Sequence, residues 1–421
     1  MAETDPMTIN ERRKYIHKIW DTYRKASKSE KSAILDQAEQ VTQMHRKSLI
    51  RILNGRLSRK KRSSERGKTY GTDIQDIIHI IAKSLDYPCA ERLTPCLVSM
   101  AKQLEYHHEL KTDAKILEQL AAISVSTVKR ILKARDKDEY KLAFRKVARK
   151  PKTGLVSLIP IHIIPRDTSQ PGHFEVDTVF HCGQNLSGTY VNTLQMVDIA
   201  TGWSEIVAIC GSSYQAVQNG FDFIFSRLPF HPIELHPDNG SEFINHFVYK
   251  QWKELYPDIE VSRSKPYRKN DNRFVEENNN SLIRAYIGHS RLDSLAQLEC
   301  LRELYEKLYI YHNYFQPNMK LIAKIINEKR ISRKYDPAQS PLTRLLETDA
   351  ISSDKKEILL AHKLSINPMK LRSEIETLIN KLLKLPGLEP GKKLDYYELG
   401  FKDLVQRMRR YNHSYAIHKI E

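Results

Sequence analysis

Three carboxylates stand out for the text around them. Asp177 lies in the apolar run His173-Phe-Glu-Val-Asp-Thr-Val-Phe180, Asp238 in His236-Pro-Asp-Asn-Gly-Ser-Glu-Phe243, and Glu276 closes Lys265-Pro-Tyr-Arg-Lys-Asn-Asp-Asn-Arg-Phe-Val-Glu276. A charge on a half-buried strand is costly to desolvate unless something compensates it, and a divalent cation is a common compensator. Two Asp and one Glu with no neighbouring Cys or His cluster suit a hard, oxygen-seeking ion, Mg²⁺ or Mn²⁺ in its place. His173, His181, Cys182, His231 and His236 are near in sequence but lack zinc-ligand spacing.

Local patterning shows how these acids could converge. Residues 174–180, 190–199 and 203–209 read as strands, the last two around the turn Ala200-Thr-Gly202, and 232–236 reads as a fourth that ends just before Asp238. Residues 213–228 carry Val217, Phe221, Ile224, Phe225 and Leu228 at helical spacing, and a second helix from Phe274 carries Val275, Leu282, Ile283, Tyr286 and Ile287. On a wheel of about 100° per residue, Glu276 falls at the edge of that apolar stripe beside Asn280 and Arg284, while Glu277 turns into the polar face. Asn279 falls inside the stripe, where an amide has no evident partner. Asp198 is explained by turn chemistry before Ala200, and Glu242 by the first turn of a helix, where a carboxylate favours the dipole.

These residues carry a resemblance. The strand-borne Asp177, the box Asp238-Asn-Gly-Ser-Glu-Phe243 and the run from Pro266 to Glu276 resemble the catalytic core of retroviral integrases and bacterial insertion-sequence transposases, over roughly residues 165–335. Tyr335-Asp-Pro-Ala-Gln-Ser-Pro-Leu-Thr-Arg-Leu-Leu346 is similar to the segment after the core in insertion-sequence members. Glu276 comes 38 positions after Asp238, slightly more than is common there, which a loop would absorb. The resemblance implies a ribonuclease H-like α/β core, a mixed sheet with flanking helices, in which Asp177, Asp238 and Glu276 are catalytic and hold two Mg²⁺ ions. Such ions clamp the attacking and leaving oxygens of an in-line phosphoryl displacement. Water would first free a 3′ hydroxyl at an element end, and that hydroxyl would then attack target DNA. Lys265, Arg268 and Lys269, with Asn280 and Arg284 on the next helix, are candidates to grip the phosphate backbone.

Charge points to the same partner. The chain has 68 basic and 51 acidic residues, a net +17, and residues 1–150 hold 33 and 19 of them, so +14 lies there and +3 in the remainder. A polyanion such as duplex DNA suits that first third. Within it, 29–55 and 113–133 read as helix-turn-helix units. The first would present His45, Arg46, Lys47 and Arg51, though Gln43 stands where the turn often has glycine. The second would present Thr127, Lys129 and Arg130 from a helix capped by Ser124 or Ser126. Helical text covers 73–85 and 90–104, Arg59–Lys68 reads as a basic linker, and the basic run 141–152 precedes the core.

The expected organisation is multidomain: a helix-turn-helix domain over 1–70, a second helical one over 71–150, the core over 165–335 and a helical region over 336–421. In the last, 354–364, 368–385 and a stretch near 398–411 with Arg407, Arg409 and Arg410 show helical patterning suited to subunit contacts. Cys89, Cys96, Cys182, Cys210 and Cys300 form no disulfide framework, and no signal peptide or membrane-length apolar run appears, so a cytoplasmic, nucleoid-associated prokaryotic protein is expected. The sequence thus predicts a transposase acting as a homo-oligomer on double-stranded DNA, both its own inverted-repeat ends and a target. The competing readings are a helix-turn-helix regulator, a domesticated inactive copy, or a nuclease of the same fold that cuts without joining.

Overall fold

The computed structural model describes residues 7–55, 69–135, 141–142, 170–237, 243, 246–262, 273–327 and 330–388. The chain divides into two units, Met1–Thr69 and Tyr70–Glu421.

The first unit is three helices, α1 (Ile9–Lys25), α2 (Lys28–Thr42) and α3 (Arg46–Leu53). Thr8 with Glu11 and Ser27 with Glu30 form capping boxes that satisfy the first amides of α1 and α2. Ile16, Tyr23, Leu35, Ala38, Leu49 and Leu53 make a small buried core, and Trp20 Nε1 donates to the Leu53 carbonyl at 3.1 Å. The chain turns between α2 and α3 without glycine, because Gln43 itself takes the left-handed conformation at φ 54°.

The second unit opens with α4 (Thr72–Ser84), α5 (Ala90–Leu93), α6 (Leu97–Tyr106), α7 (Ala114–Ala122) and α8 (Val125–Arg135). The helix expected over 90–104 is broken by a 3₁₀ turn at Thr94–Cys96, where Pro95 removes a backbone donor. A mixed sheet comes next: β1 (His173–Phe180), β2 (Val191–Asp198), β3 (Ser204–Cys210), helix α9 (Tyr214–Arg227), β4 (Glu234–Pro237), helix α10 (His246–Leu255) and β5 (Glu260–Val261). The strand order is β3-β2-β1-β4-β5, antiparallel through β1, β2 and β3 and parallel from β1 to β4 and β5. Helices then run as α11 (Arg273–Asn278), a π-helical turn Asn279–Arg284, α12 (Ala285–Ile287) and α13 (Leu295–Ile310). A separate hairpin of β6 (Leu321–Asn327) and β7 (Arg330–Tyr335) leads to α14 (Pro341–Leu346), α15 (Ser353–Ser365) and α16 (Pro368–Lys384). The stretch near 398–411 lies outside the described residues.

Residues 70–135 are joined to the C-terminal helices by direct bonds. The Gln103 amide donates to the carbonyls of Lys363 and Ile366 at 2.9 Å, closing the end of α15, and Arg372 on α16 pairs with the buried Asp86 at 3.0 Å. Tyr311 donates to the Ser84 carbonyl at 2.8 Å.

Asp198 behaves as a turn residue. Its carboxylate accepts from the Gly172 and Thr201 amides at 2.8 and 2.7 Å and from the Thr201 hydroxyl at 2.6 Å, so these contacts serve the β2–β3 turn. Gly202 in that turn has φ +77°, and a Cβ there would meet the Asn318 amide at 2.8 Å.

Full burial also sets a pH dependence. His181, at the end of β1, shares a hydrogen bond of 2.7 Å with the Thr193 hydroxyl, and burial holds its imidazole down to about 3 from an ordinary 6.5. The folded state therefore keeps His181 neutral while the unfolded chain takes up a proton below 6.5, so this contribution is complete above 6.5 and is lost as pH falls towards 3. One proton corresponds to ~1.4 kcal/mol per pH unit. Urea unfolding of the wild type at two pH values below 6.5 should show that slope in excess of a His181→Gln variant, which cannot titrate.

Candidate active site

Side chains alternate along a strand, so Glu175 and Asp177 share one face of β1. Glu175 is buried, and its Oε2 accepts the amides of Phe274 at 2.7 Å and Val275 at 3.0 Å. Those are first-turn donors of α11, which have no partner inside the helix, and a carboxylate there also favours the helix dipole. One turn further on, Asn279 Nδ2 donates to Asp177 Oδ2 at 2.5 Å, while the Thr178 amide donates to Oδ1 at 2.8 Å. The helix is thereby fixed to β1 at two points, and Glu276 is exposed between them. Residues three apart on a helix share a face. With Asn279 turned to Asp177, Glu276 lies on the β1 side, and Glu277 points about 160° away.

The parallel register of β1 and β4 ends at Val176 opposite Pro237, one step before Asp177 on the first strand and before Asp238 on the second. Asp238 lies outside the described residues, as do Glu242, Lys265, Arg268 and Lys269.

Polar groups short of partners gather at Asp177. Gln195 on β2 is its cross-strand partner, is fully buried, and has neither amide atom hydrogen-bonded; Asn279 Oδ1 is also buried without a partner. Orphaned polar atoms are costly in a dry interior, and carboxylate plus amide groups without a thiol fit a hydrated hard cation. Among the described residues no three His, Cys, Asp or Glu side chains form a complete metal cluster. The histidines near the sheet are spoken for by protein groups: His173 Nδ1 is 2.9 Å from Glu234, and His236 Nδ1 is 2.6 Å from the Ser262 hydroxyl.

A wheel at a constant 100° carries from α11 to Asn279 but fails over the rest of the turn. From Asn279 to Arg284 the backbone is π-helical, which inserts residues per turn and rotates the later side chains. Asn280 faces back to the Glu276 carbonyl at 3.0 Å, and Arg284 donates to the Phe180 carbonyl at 2.7 Å and the Gly288 carbonyl at 3.2 Å. Arg284 thus ties the helix to the end of β1, with burial lowering its guanidinium from the ordinary value.

The candidate DNA readers divide similarly. In the first unit, Arg46 forms an ion pair with Asp36 and donates to the Ser32 hydroxyl at 2.7 Å, holding α3 to α2, and His45 Nδ1 accepts the Lys47 amide at 3.2 Å. Lys47 and Arg51 are exposed. In the second unit, Ser124 accepts the Thr127 amide at 3.3 Å, so Ser124 closes the start of α8. Thr127 is engaged with Ser124 and Arg130, whereas Lys129 and Arg130 are exposed, Lys129 lying 3.8 Å from Glu91.

Glu175, Gln195 and Asn279 were not among the sequence candidates. Two acids at strand spacing and an amide inside an apolar stripe were the signals for Glu175 and Asn279; nothing local marks Gln195. Asn279→Ala should remove the donor to Asp177 Oδ2 and loosen the tie between helix and strand. Affinity for Mn²⁺, read by titration calorimetry or electron paramagnetic resonance, is expected to fall about 10–100-fold with little change in unfolding midpoint. Unchanged affinity would remove Asn279 from the site.

No family model matches the chain. It is similar to the catalytic core domain of BIV integrase, at 17% identity over 42% of this chain and 94% of that one with a TM-score of 0.28. It is also similar to a chain of the simian T-cell lymphotropic virus intasome in complex with PP2A regulatory subunit B56 gamma, at 14% over 54% and 70% with a TM-score of 0.29. Sequence similarity is stronger to the uncharacterized protein y4rM of Sinorhizobium fredii (strain NBRC 101917 / NGR234), 30% identical over 338 residues, 79% of this chain and 94% of that one. With that identity over nearly the whole relative, the chain belongs to the y4rM family.

Proposed function

We propose that the chain is a DNA transposase of the integrase type, which binds element ends and catalyses divalent-metal-dependent strand cleavage and strand transfer. The observation that carries this reading is the 2.5 Å hydrogen bond from Asn279 to Asp177, which brings the turn bearing Glu276 to the strand bearing Asp177, one register step beyond the last β1–β4 pair. Asp177, Asp238 and Glu276 would hold two Mg²⁺ ions, which when bound supply charge stabilisation to the attacking and leaving oxygens. Asn279 fixes one oxygen of Asp177, and Glu175 holds the start of α11 so that Glu276 keeps its place. Lys265, Arg268 and Lys269 would position the scissile backbone. The helix pairs α2–α3 and α7–α8 act in this reading as helix-turn-helix readers of the ends, through Lys47, Arg51, Lys129 and Arg130, and a homo-oligomer assembles on double-stranded DNA in the bacterial nucleoid. No described helix is long and apolar enough to cross a membrane.

The test is incubation of the full chain with Mg²⁺ and labelled DNA ends taken from the sequence flanking its gene. Separate hydrolysed and joined products are expected. Hydrolysis without joining would identify a nuclease, and binding without either a regulator or an inactive copy.

A further inference from the structure

The hairpin of β6 and β7 has no part in the candidate active site. Its root is locked: the Lys320 amide donates to Asp336 at 2.6 Å, the Asp336 amide returns to the Lys320 carbonyl at 3.0 Å, and the Lys320 ammonium turns in to the Ala200 carbonyl at the β2–β3 turn. Arg344 adds an ion pair to Asp336. Beyond that root, the two strands pair only with each other among the described residues. A lone two-stranded ribbon is marginal in water, so its retention as an arm on a fixed base calls for a partner.

Charge identifies the partner. Residues 321–335 contain five basic residues and one acidic one, a net +4, whereas residues 151–421 together net only +3; without this segment the rest of that stretch is −1. Arg333, Lys334 and Tyr335 are exposed, and neither cation forms an ion pair among the described residues. Ile322 and Ile325, 60% and 51% exposed, could serve a protein partner, but apolar side chains also lie against sugars and base edges. A two-stranded ribbon is one of the two elements that the major groove of B-DNA admits. We propose that this hairpin is a DNA-binding arm that lies along a duplex groove, with Arg333 and Lys334 on phosphates. It rests on the reading of a DNA-handling chain for the identity of the polyanion, and adds a contact surface distinct from the helix pairs and the Lys265–Lys269 segment.

The test is fluorescence anisotropy with the full chain and a labelled duplex of arbitrary sequence, in EDTA, across a salt series. Arg333→Gln with Lys334→Gln should make the slope of log affinity against log salt shallower by about 1.8, since each phosphate contact contributes about 0.9. The charge-keeping swap Arg333→Lys with Lys334→Arg should retain the wild-type slope, which guards against loss of the ribbon itself. Lys355→Ala with Lys370→Ala removes the same charge from exposed sites on the C-terminal helices and should leave the slope unchanged. An unaltered slope in the ribbon variant, or an equal change in both neutralised pairs, overturns the proposal. So does a shift in sedimentation of the ribbon variant at constant slope, which would make the arm a contact between copies. Because no strand chemistry occurs in EDTA, an inert catalytic site leaves this outcome untouched, and a failed arm leaves the cleavage assay readable.

Discussion

Glu276→Gln is expected to lower Mg²⁺-dependent cleavage and joining of DNA ends by about a thousandfold or more, since loss of roughly 4 kcal/mol of transition-state stabilisation has that effect. Asp177→Asn and Asp238→Asn should do the same, whereas Glu277→Gln should stay within about threefold, near what an exposed surface change costs. The asymmetry between neighbouring glutamates comes from geometry. Asn279 is turned to Asp177, so the residue three positions earlier shares that side and the residue two positions earlier does not. All four variants should bind DNA and unfold as the wild type does, because the changes fall on exposed or ligand-type side chains. An active Glu276→Gln protein beside a dead Glu277→Gln protein would show that the helix presents the other glutamate. Activity retained in both, with Asp177→Asn dead, would place the third ligand elsewhere.

Arg227→Leu should cost about 3–5 kcal/mol of stability, the usual consequence of leaving a buried charge without its partner. Its guanidinium, itself buried, donates to Glu205 at 2.6 Å, to Glu306 at 2.7 Å and to the Ile206 carbonyl at 2.9 Å, stacked between the rings of Phe223 and Tyr309 at 4.6 and 4.2 Å. Glu205 has no exposure, and its other oxygen accepts from Trp203 Nε1 at 2.9 Å. Burial pushes the Glu205 carboxyl up, and removing Arg227 leaves that burial without its chief compensation. The double replacement Arg227→Leu with Glu205→Leu should recover most of the loss, because two charges leave the interior together. Urea unfolding of the full chain at neutral pH distinguishes the cases. A single variant within about 1 kcal/mol of wild type would mean that water reaches Glu205.

Much of the sheet was legible because its strands are buried on one or both faces, so that Phe174, Val176, Leu194, Met196, Ile206 and Val207 leave a clear apolar trace. The helices α9, α15 and α16 were legible for the same reason. The ribbon was not: Leu321 to Tyr335 forms a strand pair outside the main sheet, so no shared core imposes alternation on it, and charged residues fall on both strands. For the helix that became α10, only a start near Glu242 was read, because its text comes directly after the box around Asp238. Asp177 and Glu276 stood out as candidates from flanking text, but the bonds that tie their strand and helix together join residues 99 to 102 positions apart. Asn279 looked out of place on an apolar stripe only because the strand beneath that stripe carries a carboxylate. Gln195 is set by register across β1 and β2, which a single strand's sequence does not specify.

The π-helical turn at Asn279–Arg284 holds more residues than a regular helix would use to cover the same rise. An extra residue in a helix is a one-codon event, and so is its removal. Straightening the turn with every residue kept would rotate everything beyond by about 100° and carry Arg284 away from the Phe180 carbonyl to which it is bonded, whereas deleting Ser281 would regularise the ladder and leave Arg284 near that carbonyl. The shortest evolutionary route from this chain to a sturdier helix is therefore a single in-frame deletion, and it would spare the joint between helix and strand. In that sense the irregular turn is a length standard, fixing how far the segment beyond Glu276 must travel to reach the end of β1.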